Sequence, residues 1–144
     1  MQVTIEQASL SDSAAIGRLV RQELGYPEIG DEGIAARMQQ TEADDHYAAF
    51  VAKDRGDIIG FIGLLQGIAF EIDGGYIRIT ALAVKSEYQR SGIGSQLLQA
   101  AEDHAARHNI HLIALNSGLS RLGAHEFYES KGYVKKGYGF KKSI

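Results

Sequence analysis

The chain has 144 residues, 44% of them apolar, a formal net charge of −3 and no cysteine. That length suits one domain with a sizeable core, and a single domain over residues 1–144 is expected. The absent cysteines exclude disulfides, thiolate metal centres and a cysteine nucleophile; no run of about 18 apolar residues offers a membrane span, and mild acidity argues against a nucleic-acid binder.

Met1-Gln2-Val3-Thr4 lacks a basic-then-apolar leader, so a cytoplasmic protein is expected. The charge is unevenly spread. Residues 1–75 hold 13 acids and 5 bases, whereas residues 76–144 hold 5 acids and 10 bases. An anion site in the second half fits this split, and so does ordinary solvated surface charge.

Val3, Ile5 and Gln7 alternate as in a short edge strand. Ser11 or Asp12 is placed to cap a helix with apolar face Ile16, Leu19, Val20 and Leu24. Gly25-Tyr26-Pro27 ends it, since Gly suits the C-cap and Pro cannot continue the helix. Asp31 is placed to cap a second helix carrying Ile34 and Met38. Phe50-Val51-Ala52 reads as a strand, Asp54-Arg55-Gly56-Asp57 as a hairpin turn, and Ile58 to Leu65 as the returning strand. Asp73-Gly74-Gly75 makes a tight turn before a strand from Tyr76 to Val84. A helix follows from about Gly94 to Arg107, then a short strand over Ile110 to Leu115. Arg121 to Ser130 reads as a helix, and Tyr133 to Lys141 alternates as a last strand. The order is that of a mixed α/β domain.

The stretch Gln89-Arg90-Ser91-Gly92-Ile93-Gly94 lies between an apolar strand and an amphipathic helix. A glycine-rich turn there exposes the free N–H groups and the positive dipole end of the helix, an arrangement suited to phosphate. Two glycines allow close approach of a ligand to the backbone. A Walker loop is excluded because no Lys follows Gly94. A dinucleotide fingerprint is excluded because Leu97 stands where a third glycine belongs.

Leu82-Ala83-Val84, a short linker with Tyr88, and Gln89-x-x-Gly92-x-Gly94 resemble the signature of the GNAT superfamily of N-acetyltransferases. Asn116 after a strand and Ala124-His125-Glu126-Phe127-Tyr128-Glu129-Ser130-Lys131-Gly132-Tyr133 resemble the acyl-CoA segment further along that family's chain. The resemblance spans nearly the whole sequence. It implies a mixed, mostly antiparallel, splayed sheet flanked by helices, with acetyl-CoA as cosubstrate and an amine as acceptor. It also implies that Leu82, Ala83 and Val84 line the pantetheine arm, paired by backbone as an added strand would be. Gln89, Arg90, Ser91, Gly92, Ile93, Gly94 and Ser95 would hold the pyrophosphate, Asn116 the pantetheine or a water, and Tyr128 would face the sulfur. Family members often form homodimers, but nothing in this sequence marks an interface.

Acetyl transfer to an amine needs a deprotonated nucleophile, a stabilised oxyanion and a proton for the departing thiolate. Freeing an alkyl ammonium of pKa about 10.4 at pH 7 costs about 4.6 kcal/mol. Tyr128 suits the last need, because a phenol is protonated at neutral pH; its alternative is core packing. Where many family members carry a glutamate on the central strand, this chain has Arg78. Glu71, at the end of the preceding strand, is then the best candidate base, ahead of Glu23, Glu28 and Asp73, with a water chain as the other route. Arg78 is a candidate contact for an anionic group of the acceptor, or one half of an ion pair. Tyr26 falls where the family builds its acceptor pocket. His125, one helical turn before Tyr128, is read as packing or as a proton relay. His104-x-x-x-His108 has the spacing of two metal ligands but lacks a companion carboxylate motif, and no metal is expected. Direct transfer in a ternary complex to a small-molecule amine is the expected reaction. A non-catalytic acyl-CoA sensor and a protein N-acetyltransferase are the alternatives.

Overall fold

A computed structural model describes residues 1–144, which divide into two units, Met1–Ala114 and Leu115–Ile144. The first unit holds strands β1 (Val3–Gln7), β2 (Tyr47–Asp54), β3 (Asp57–Gly67), β4 (Tyr76–Val84) and β5 (Ile113–Ala114). Its helices are α1 (Ser13–Gln22), α2 (Asp31–Glu42) and α3 (Ile93–Arg107). The strands form one sheet in the order β1-β2-β3-β4-β5. The first three pairings are antiparallel and β4–β5 is parallel, which gives the expected mixed, mostly antiparallel sheet.

Alternation along the strands assigns the two faces. Val51, Phe61 and Ala83 turn to one side and meet Ile16 and Leu19 of α1 and Ile34 of α2 in a common core. The apolar face read for α1 is therefore the one buried. The other side receives α3, whose Leu97, Leu98 and Ala101 are fully buried. A Cβ on Gly60 would lie 3.0 Å from the carbonyl oxygen of Ala83 and 3.2 Å from Cδ1 of Leu97, so the bare backbone there lets α3 settle onto β3. Each such leucine contributes about 1.5–3 kcal/mol of burial.

The hairpin joining β2 to β3 turns at Arg55 (φ 52°) and Gly56 (φ 90°), two positive-φ residues whose twist matches the flanking strands. Of the two expected caps, one is found in place and one is corrected. Asp12 holds the cap position of α1, but it is buried and turns its carboxylate back to accept from the Ser9 N–H at 2.9 Å, so it makes no side-chain capping bond and a one-turn 3-10 helix (Leu10–Asp12) precedes α1. Gly30 occupies the cap position of α2; Asp31 is the first helical residue and accepts from Arg21 Nη1 at 2.9 Å. Arg21 also donates to the Ile29 carbonyl at 3.0 Å, which fastens the α1–α2 loop.

Two irregularities shape β4. Opposite β3, Ala81 pairs with Gly63 and Ile79 with Leu64, leaving Thr80 as the extra residue of a bulge. A Cβ on Gly63 would meet Thr80 Oγ1 at 2.8 Å, so the bulge needs glycine opposite it. On its other edge β4 pairs with β5 only at Ile77–Ile113 and Arg78–Ala114. From Ile79 to Val84 its ladder is with β3 alone. The strand expected over Ile110 to Leu115 is thus shortened to two residues.

In the second unit, α4 spans Leu122–Ser130, with Arg121 at the cap position rather than inside the helix. The last strand expected over Tyr133 to Lys141 is not formed. Lys135 and Lys136 interrupt the alternation, Gly137 and Gly139 weaken a strand, and residues 134–144 are exposed with no ladder partner.

Candidate active site

The segment between β4 and α3 is folded into a cradle of free amides. Ser86–Tyr88 forms a one-turn 3-10 helix, closed by Tyr88 N–H donating to the Lys85 carbonyl at 2.9 Å. Arg90 (φ 66°) and Gly92 (φ 84°) then take left-handed conformations on either side of Ser91. Such alternation curls successive N–H groups toward one side, the form of an anion-binding nest. Arg90, Ser91 and Gly92 donate no N–H to a backbone carbonyl. Gly92 is the cap residue of α3, without a side-chain capping bond, so the amides of Ile93, Gly94 and Ser95 in the first turn are free as well. The helix bonds begin with Gln96 N–H to Gly92 O at 3.1 Å. Ile93 is 1% exposed, and its side chain pins the start of the helix to the core.

Gln89 uses its side chain internally, donating from Nε2 to the Val84 carbonyl at 3.0 Å, and Ser91 Oγ donates to the Tyr88 carbonyl. Leu82, Ala83 and Val84 end β4 directly before this turn. Ala83 faces the core, and all three lie on the stretch whose outer edge has no β5 partner. The sequence-predicted residues 82–84 and 89–95 are therefore contiguous in space.

Two supports beneath the cradle were not foreseen. Tyr88 Oη donates to Asp54 Oδ2 at 2.9 Å, and Gln2 N–H donates to Asp54 Oδ1 at 3.0 Å. The Gln2 amide and then the Tyr88 hydroxyl hold the Asp54 carboxyl below its usual range, and the same bond raises the Tyr88 phenol. At the end of α1, Glu23 accepts from Ser86 N–H at 3.2 Å and from Ser86 Oγ at 2.9 Å. Both links join residues far apart in sequence, so no local pattern announces them. Glu23, a minor candidate base, holds this linker through both of its oxygens.

Glu71 requires a correction of place. β3 ends at Gly67, so Glu71 is not at a strand end but in the exposed loop before β4. The nine residues of β4 span about 26 Å, and the Glu71 loop enters that strand at its start whereas the cradle follows its end. Arg78 lies half-buried near the start of β4, where β5 makes its last pairing. Tyr26 is 51% exposed in the α1–α2 loop.

Within residues 115–144, Tyr128 sits on α4 with ring centroids 5.3 Å from Phe127 and 6.0 Å from Tyr133. Burial raises its phenol pKa, with Arg121 opposing in part, and no hydrogen bond within this unit holds its hydroxyl. His125 places Nε2 2.8 Å from the Gly118 carbonyl, a packing role for the loop before α4. The Nδ2 of Asn116 would lie 3.0 Å from a Cβ on Gly139, so Asn116 neighbours the C-terminal segment. His104 and His108 stack at 4.3 Å between ring centroids, and no cluster of three metal-ligating side chains forms around them.

Comparisons with known proteins bear on the family and the fold. The family described as "Acetyltransferase (GNAT) family" matches residues 17–133. An aminoalkylphosphonate N-acetyltransferase of Salmonella typhimurium is 30% identical over 131 residues, covering 91% of this chain and 82% of that protein. A GNAT family acetyltransferase of Staphylococcus aureus superposes with a TM-score of 0.82 at 27% identity, each chain covered in full. The aminoglycoside N-acetyltransferase AAC(6')-Iy, in complex with CoA, superposes with a TM-score of 0.88 at 16% identity over 99% of this chain and 95% of that one. This chain belongs to the GNAT family of acetyltransferases. It is an acetyltransferase with an acyl-CoA as cosubstrate and the family's fold. No helix is long and apolar enough to cross a membrane.

Proposed function

We propose that the chain transfers an acetyl group from acetyl-CoA to a primary amine of a small molecule, directly and within a ternary complex. The observation that carries this reading is the run of free amides from Arg90 to Ser95, set at the end of a strand whose outer edge has no strand partner from Ile79 to Val84, the Val84 carbonyl there accepting from Gln89 Nε2. The donors suit a pyrophosphate, and the edge suits a pantetheine arm with its own amide groups. Gly92 exposes bare backbone with no atom within 4 Å of where its Cβ would stand, so a phosphate can approach the cradle there.

Bound acetyl-CoA supplies an activated thioester carbonyl. The chain's own groups do the rest. Amides of Gln89 to Ser95 orient the pyrophosphate, and backbone groups of Leu82 and Val84 align the arm, with Ala83 seating that part of β4 in the core. A β4 N–H near Val84 serves the oxyanion. Tyr128, protonated throughout the neutral range, directs its hydrogen at the departing sulfur, and Asn116 holds the arm or a water. Glu71, in the loop that enters β4, or a water chain to bulk receives the ammonium proton. Tyr26 and Arg78 contact the acceptor. A small acceptor bearing both an amine and an anion is supported by the similarity to the aminoalkylphosphonate N-acetyltransferase and by Arg78 on β4.

The test is acetyl-CoA-dependent release of free CoA thiol across aminoalkylphosphonates, aminoglycosides, polyamines, amino acids and lysine peptides. Turnover with a small amine, aminoalkylphosphonates foremost, is expected. Turnover confined to peptides would make the chain a protein N-acetyltransferase. CoA binding with silence across the panel would overturn the proposed acceptor class.

A further inference from the structure

We propose that Tyr88 and Asp54 form a positioning strut that presets the Gln89–Gly94 cradle for its anionic ligand, an inference that rests on reading this cradle as the CoA pyrophosphate site. Asp54 ends β2 at the hairpin, and its two carboxylate oxygens point in different directions. One accepts from Gln2 N–H at 3.0 Å, the other from Tyr88 Oη at 2.9 Å. Arg55 N–H also donates to the Gln2 carbonyl at 3.2 Å. The start of β1, the hairpin and the residue immediately before the cradle are thereby tied at one point.

The placement runs against simple electrostatics. A carboxylate near a pyrophosphate site repels the ligand, and a second, Glu23, lies close by on Ser86. The benefit of Asp54 must therefore come from the hydrogen bonds that it accepts. A phenol donating to a carboxylate is a strong, directional bond, and Tyr88 precedes Gln89 with no residue between to absorb movement. The cradle needs Arg90 and Gly92 both at positive φ, and Arg90 reaches φ 66° without being glycine. Fixing Tyr88 limits the other conformations open to that turn before the ligand arrives, which lowers the ordering cost of binding.

The experiment measures CoA affinity calorimetrically and steady-state kinetics for Tyr88→Phe, Asp54→Ala, Asp54→Asn, the Tyr88→Phe/Asp54→Ala double variant and Gly92→Val. Tyr88→Phe and Asp54→Ala are each expected to weaken CoA binding by about tenfold, the loss of one charge-assisted bond. The kcat at saturating acetyl-CoA should stay within about twofold, and the double variant should bind no worse than the weaker single one. Asp54→Asn keeps an acceptor oxygen and should recover most of the affinity; if this carboxylate acted only through its charge, Asn would instead tighten binding. Unaltered affinity in Tyr88→Phe, or losses that multiply in the double variant, would overturn the strut while Gly92→Val abolishes binding. If Gly92→Val also binds CoA normally, the reading of the cradle itself fails. Should Asp54→Ala fail to fold, Tyr88→Phe and Asp54→Asn carry the same decision.

Discussion

Ser86 directs both its N–H and its hydroxyl at the carboxylate of Glu23, 63 residues earlier in the chain, at 3.2 and 2.9 Å. The last turn of α1 is thus locked to the linker that leads into the cradle. Both oxygens of this carboxylate accept from Ser86, which fits a positioning role for Glu23 better than that of the base. Glu23→Gln should keep kcat within about threefold and leave the acidic limb of the pH–rate profile in place. Glu23→Ala, which leaves Ser86 without its acceptor, should lower Tm by about 2–4 °C. Differential scanning fluorimetry beside a pH series checks both halves.

Gly92 holds φ 84° in open space. Any side chain there costs about 1–2 kcal/mol of backbone strain and projects a Cβ where a phosphate would approach. Gly92→Ala should weaken CoA binding at least about tenfold, by titration calorimetry, with a smaller loss of thermal stability than of affinity.

Tyr128 has its phenol raised by burial, with Arg121 pulling the other way. The proposed role needs the protonated form, so the alkaline limb of the activity profile should lie above the ordinary 10 of tyrosine. Tyr128→Phe should lower kcat at least about tenfold, abolish that alkaline limb and leave CoA affinity in place. A full pH–rate profile of both proteins decides it, and unchanged turnover in the variant would remove Tyr128 from the mechanism.

His104 has its pKa lowered, first by burial and then by His108 and Arg107 nearby. The folded state therefore disfavours the protonated ring. The stability that this confers is complete above the unfolded value of about 6.5 and is lost as the pH falls through the lower folded value. Melting temperature should decline below about pH 6.5, and His104→Gln should flatten that part of the curve.

Much of the first unit could be read in advance because its signals are local. The tight turn at Asp73-Gly74-Gly75 and the apolar run to Val84 defined β4 at both ends, and the Asp54–Asp57 turn placed the hairpin. The cradle was legible for the same reason: Gly92 and Gly94 follow a strand and open a helix. What escaped were contacts set by tertiary approach. Asp54 reads as a turn residue and Glu23 as the last polar residue of a helix; neither pattern tells that they meet Tyr88 and Ser86. The alternation of Tyr133 to Lys141 misled, because a period of two describes a strand only where another strand takes its hydrogen bonds.

The one-sided ladder of β4 has a thermodynamic corollary. If a pantetheine arm occupies the stretch from Ile79 to Val84, the cosubstrate serves as a sixth member of the sheet, and the apoprotein is an unfinished version of the fold. Melting temperature should then climb with the logarithm of CoA concentration above its Kd, by about 2.7 kcal/mol of added stability at a hundredfold excess over Kd. Cells that deplete their CoA pool would hold a less durable enzyme as well as an idle one, so supply of the acyl donor would govern how long the protein survives.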